Sequence, residues 1–263
     1  MKTRRRIALG ACVACVVAGV GFGVPSALFA VPAKGKVVNT QKLLNLVWNE
    51  AKDAKSNRYY FMEPASTVPS DVRVLRGHLQ KELCVAITGD AAPPPRPGPW
   101  SVKVEGGRTS PVTFVVGPGE QIEFANKDPW DHMLYAVDDK AGFGDATLKS
   151  GQARTWTPPG PGKYELRDKL FPSVRSWIVV SDKPVLKSVF PTRKGDIQTE
   201  LEPGNYTLQG YFNGEKVGEA LSVTIKPGAN NADVPLGDLK VGAEEKKDEE
   251  KKDDKKPEEK KGG

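Results

Sequence analysis

The fold is most legible in residues 115–137, VVGPGEQIEFANKDPWDHMLYAV. Ile122 and Phe124 alternate with polar neighbours, the mark of a strand with one buried face. Gly117-Pro118-Gly119 supplies a turn before it, and Asn126 to His132 forms a connection before a further apolar run, MLYAV. The same grammar extends in both directions. Upstream, WSVKVEG alternates Val102 and Val104, and VTFVV alternates Val112, Phe114 and Val116. Downstream come ARTWT, GKYELR and SWIVV, separated by Gly/Pro turns such as PPGPGK. Many short strands with 27 Gly and 22 Pro in 263 residues predict an all-β protein, a Greek-key β-sandwich.

After Asp182 a second unit is expected over 183–237. The stretch EPGNYTLQGYF reads as a turn and a strand, Asn213-Gly214 as a hairpin turn, and Leu221, Val223 and Ile225 share one face. About 50 residues form a small sandwich, at the lower limit for a self-sufficient core. Residues 31–70 are expected to be helical, because Leu43, Leu44, Val47 and Ala51 recur at helical spacing with Thr40 as a cap. The first sandwich is expected over 71–182, with DVRVLRG and LCVAITG as its opening strands and the proline run at 91–99 as a loop. Residues 238–263, dominated by Glu, Asp and Lys, cannot build a core and are expected to be a disordered charged tail.

Residues 1–30 read as an export signal, or as an N-terminal anchor if retained. Lys2, Arg4, Arg5 and Arg6 precede an uncharged run from Ile7 to Ala33, with small residues at its end. LGAC, residues 9–12, mimics a lipidation box but has too short an apolar run before it. The expected location is the periplasm, envelope or exterior of a bacterium, with membrane contact only through this segment. Removing its four basic residues lowers the net charge from +6 to +2, which argues against nucleic acid as a partner. Cys84 is then the sole cysteine outside the signal, so no internal disulfide forms; within LCVAI it reads as a buried small residue.

The stretches at 115–137 and 160–184 resemble the cupredoxins, the plastocyanin-like copper proteins. The nearer resemblance is to an exported bacterial subgroup whose cupredoxin-like domain is followed by a small carboxypeptidase-regulatory-like sandwich with a PGxYTL turn and strand. The resemblance covers roughly residues 100–226. It implies one copper-ligand position at His132, after Asn126 and Asp128, and three more in the loop before the final strand WIVV. On that alignment the Cys position falls on Asp168, the second His on Phe171 and the Met on Val174. Phe171 and Val174 offer no lone pair, and a carboxylate is a hard donor unsuited to copper cycling through Cu(I). His78 and Met133 are the remaining candidate donors. The expectation is therefore a metal-free, cofactor-free site in which His132 is an orphan hydrogen-bonded to Asp168 or Asp131. Trp130 and Phe171, on loops at that end, form a candidate binding patch; Trp156, Trp177 and Phe143 are the other aromatics of the region.

No nucleophile elbow or P-loop occurs, the CxxC at Cys12 and Cys15 falls inside the export segment, and two histidines leave little for acid–base catalysis. The reading is an exported noncatalytic binding or scaffolding protein, with an envelope protein or a glycan as partner. The alternatives are a copper-binding electron-transfer protein and an accessory subunit of an envelope oxidoreductase.

Overall fold

A computed structural model describes residues 30–44, 77–90, 96–226 and 233–242. The export segment, the proline-rich residues 91–95, DVRVLR and the charged tail from 243 lie outside the described residues. What is described is almost entirely β-sheet. Sixteen strands form four sheets, and each of two cores lies between a pair of them.

The first pair is built from one contiguous stretch. Its five-stranded sheet has the order β5 (Thr113–Val116), β11 (Arg175–Val180), β10 (Gly162–Asp168), β7 (His132–Ala136), β8 (Ala146–Leu148). Its four-stranded sheet has the order β4 (Thr109–Ser110), β3 (Trp100–Val104), β6 (Ile122–Asn126), β9 (Ala153–Trp156). The alternating apolar residues meet between them: Val102, Ile122 and Phe124 from one sheet, Phe114, Leu134, Leu166 and Ile178 from the other.

The second pair draws on distant parts of the chain. Its four-stranded sheet runs β12 (Lys187–Val189), β2 (Leu83–Gly89), β14 (Gly204–Phe212), β15 (Glu215–Ile225), and its three-stranded sheet runs β13 (Asp196–Leu201), β1 (Val31–Val38), β16 (Val234–Lys240). β14 and β15 form the hairpin expected at Asn213-Gly214, both with positive φ (51° and 77°), as a tight two-residue turn requires.

The expected boundaries need correction on three points. Residues 31–38 are a strand, not the start of a helix. Val31, Ala33 and Val37 alternate into the core, and Pro32 and Gly35 are poor helix residues. Only one helical turn, Thr40–Lys42, follows before the described chain pauses at Leu44, so the rest of the expected helix lies outside the described residues. β2, assigned to the first sandwich at 71–182, pairs instead with β14 and β12. The unit placed at 183–237 thus recruits β1 and β2, which enlarges a core that 50 residues supply only thinly. Finally, β16 continues past 237, with Leu239 and Val241 buried, so residues 238–241 belong to the second sheet pair and not to the expected tail.

The two pairs meet along a third apolar layer. Leu83, Val85 and Ile87 of β2 face the second core, while Cys84 and Ala86 face Val115 of β5 and Val179 of β11. Tyr211 and Val185 complete this seam. Polar ties flank it: Ser188 Oγ donates to the Val115 carbonyl, the Asn213 amide to Thr113 Oγ1 (3.0 Å) and the Val112 amide to the Lys81 carbonyl (2.7 Å).

Candidate functional site

β7 opens with His132 and β10 closes with Asp168, and these strands are antiparallel neighbours in which Asp168 pairs with Leu134. That register brings the two residues together at one end of the first sheet pair. His132 has no solvent exposure. Its Nδ1 lies 2.7 Å from Asp168 Oδ2 and its Nε2 lies 3.1 Å from Asp128 Oδ2. Both carboxylates are themselves buried.

Each carboxylate is held by main-chain donors. Asp128 accepts from the amides of Gly106 (2.6 Å) and Gly107 (3.0 Å), on the turn between β3 and β4. Asp168 accepts from the amides of Met133 (3.2 Å), Leu170 (2.6 Å) and Phe171 (3.0 Å). Three separate turns are therefore fastened to one imidazole. Asn126 fixes the lead-in. Its Oδ1 accepts from the Asp128 amide (2.9 Å), and its Nδ2 donates to the carbonyls of Trp130 (2.8 Å) and Leu148 (2.9 Å). Ser150 Oγ donates to the Asp128 carbonyl (2.6 Å), and Ser173 Oγ to that of Gly107 (3.0 Å).

Burial pushes the Asp128 carboxyl up, but the Gly107 and Gly106 amides and then His132 act the other way, and the net position is below the ordinary value. A neutral imidazole carries one N–H. Between two ionised carboxylates, both contacts are hydrogen bonds only when both ring nitrogens are protonated; otherwise one carboxyl carries the proton.

The aromatic residues cover this clamp from outside. The Phe171 ring lies 4.9 Å from the His132 ring and 5.7 Å from that of Trp130, centroid to centroid. Trp130 is 42% exposed and Leu170 50% exposed. Val174 is buried in the core between the sheets. The structure thus brings His132, Asp168, Phe171 and Trp130 to one place, with Val174 beneath. Trp156 and Phe143 are core residues, the former donating its indole N–H to the Ala141 carbonyl (2.9 Å), and Trp177 is buried as well.

Two partners differ from expectation. Asp131 does not reach His132; it is exposed and accepts from the Ser150 amide (3.3 Å). The second acid on the ring is Asp128, which entered the sequence reading only as part of the lead-in. Its signal is local: an Asn two residues before it forms the side-chain turn that aims the carboxylate inward. The candidate donors His78 and Met133 do not join the clamp through their side chains. Met133 contributes its amide, and His78 stands at the helical turn entering β2, its Nδ1 without a hydrogen-bond partner among the described residues and its pKa pushed down by burial.

These residues do not fit copper. Both imidazole nitrogens are engaged by carboxylates, the Asp168 oxygens are filled by three amides and the ring, and Phe171 and Val174 have nothing to donate. Among the described residues no group of three or more His, Cys, Asp or Glu side chains is arranged to hold a metal ion.

No protein-family model and no curated protein matches the chain. Among solved structures, a reduced amicyanin variant and a Cu(I) amicyanin variant are similar to it at 19% identity, covering 36% of this chain and 99% of theirs with a TM-score of 0.30. A copper-containing nitrite reductase from Thermus scotoductus is similar at 21% identity, covering 36% of this chain and 25% of its own, also with a TM-score of 0.30.

Proposed function

We propose that this chain is an exported, noncatalytic binding or scaffolding protein of the bacterial envelope, built on a cupredoxin-like frame that holds no resident copper. The observation that carries this reading is the enclosure of His132. A copper centre needs imidazole nitrogen free to ligate, with a soft sulfur beside it; here both nitrogens face carboxylates 2.7 and 3.1 Å away. The clamp makes that end of the sheet pair a rigid support, on which Trp130 and Phe171 form a candidate contact surface. Residues 1–30 support export, and the PGNYTL turn and strand within β14 support a carboxypeptidase-regulatory-like second unit that also incorporates β1 and β2.

The test is metal analysis after purification in the presence of copper. The expected result is copper far below one equivalent and no intense visible absorption. Stoichiometric copper that is lost in His132→Ala would overturn the reading.

A further inference from the structure

Resting on the reading of the chain as a binding module, we propose that the His132 end docks an acidic polypeptide segment that carries an aromatic or aliphatic anchor. Three observations converge. First, Trp130 and Leu170 are exposed apolar side chains on the two loops that the clamp fixes, and Phe171 backs the Trp130 ring. Their backbones are pre-set: Trp130 O is held by Asn126 Nδ2 and the Leu170 amide by Asp168 Oδ1. An exposed tryptophan that does not have to be ordered on binding is the kind of residue that dominates an interface.

Second, two of the flanking cations lack ion-pair partners among the described residues. Lys127 precedes the loop and Lys149 stands on the neighbouring turn, which Asn126 ties to it through Gly151 N and Gln152 O. Both lysines are exposed, and neither side chain has an ion-pair or hydrogen-bond partner among the described residues. The exposed acid between them, Asp131, faces the Ser150 amide. On the other loop Lys169 is already paired with Asp145. Two free cations beside an apolar centre favour an acidic partner, because complementary charge steers approach and excludes basic competitors.

Third, the aliphatic member distinguishes protein from sugar. Leu170 is half exposed beside the Phe171 position, a surface that suits an apolar side chain better than a hydroxylated ring.

The experiment titrates the full chain with a random glutamate–tyrosine copolymer and follows the Trp130 indole N–H by NMR. Saturable binding is expected, weakened at least about tenfold by Trp130→Ala, by the pair Lys127→Glu and Lys149→Glu, and by raising salt to about 0.5 M. Polyglutamate without tyrosine should bind at least about tenfold more weakly. The milder pair Lys127→Gln and Lys149→Gln serves if charge reversal disturbs folding, judged by circular dichroism. The inference is overturned if the copolymer does not bind, if the variants bind it equally, if a lysine–tyrosine copolymer binds as well, or if polygalacturonate binds in its place. Copper content is measured on the same sample. Stoichiometric copper removes the metal-free reading, whereas copper-free protein without copolymer binding removes only this inference.

Discussion

His132 and Cys84 are both fully buried, both carry side chains able to bind metal or react, and they are handled in opposite ways. His132 is enclosed by polarity: two carboxylates, each satisfied by backbone amides, meet its two nitrogens. Cys84 is enclosed by its absence, packed in the seam with Ala86, Val115, Val179 and Tyr211. Burial pushes the Cys84 thiol up to about 12, with weaker opposing hydrogen bonds from the Val115 backbone and Ser188. One region is specific because each buried group is individually matched; the other excludes water chiefly by apolar packing, with few directional bonds. A matched polar cluster fails sharply when one member is removed, whereas an apolar seam loses stability in proportion to the volume deleted.

The largest predicted effect is therefore at the clamp. His132→Ala strands two buried carboxylates and should cost about 3–5 kcal/mol in denaturant unfolding. A cost no greater than that of a seam truncation would erase the contrast. Val115→Ala, which removes two methyl groups at the seam, should cost about 2 kcal/mol by the same measurement.

Acid supplies a third comparison. Asp128 lies below its ordinary value of 3.8 in the folded chain, so folding favours its charged form. That contribution is complete above the unfolded value and is lost as pH falls through the folded one. Unfolding midpoints measured down an acid series should show this loss in the parent and a smaller one in Asp128→Asn. Cys84 has the opposite sign. Its neutral thiol is favoured, so nothing is lost below its ordinary value of 9.0, and stability declines as pH rises from there towards about 12. The smallest effect is kinetic: at about pH 8 the native thiol should resist a disulfide reagent and react only on unfolding. Rapid native labelling would show that the seam opens.

The sequence made the two regions unequally readable. The first sheet pair is contiguous from Trp100 to Val180, so strand alternation and turn chemistry stand in order along the chain. His132 and Asp168 are picked out in the sequence only by a resemblance to the cupredoxins, and their contact is set by the pairing of β7 with β10. Asp128 is not legible as a ring partner, because a four-residue offset around a turn gives no periodic signal. Instead, Asn126 and the glycine amides of a distant turn determine where that carboxylate points. The second pair is harder to read, since β1 and β2 find their partners more than a hundred residues away. One clue was present. LCVAI, residues 83–87, is apolar without alternation, and a strand of that kind is covered on both faces. All five of its residues are buried because β2 lies between the second core and the seam.

The same arrangement orders events during synthesis. Residues 100–180 carry every strand of the first sheet pair and can close on themselves while the remainder is still being made. β1 and β2 emerge earlier yet have no sheet to enter until β12 to β16 follow. Two strands, the amphipathic β1 and the apolar β2, must wait unpaired for the last third of the chain. A chain truncated after about residue 185 would leave them as aggregation-prone orphans beside an otherwise finished neighbour.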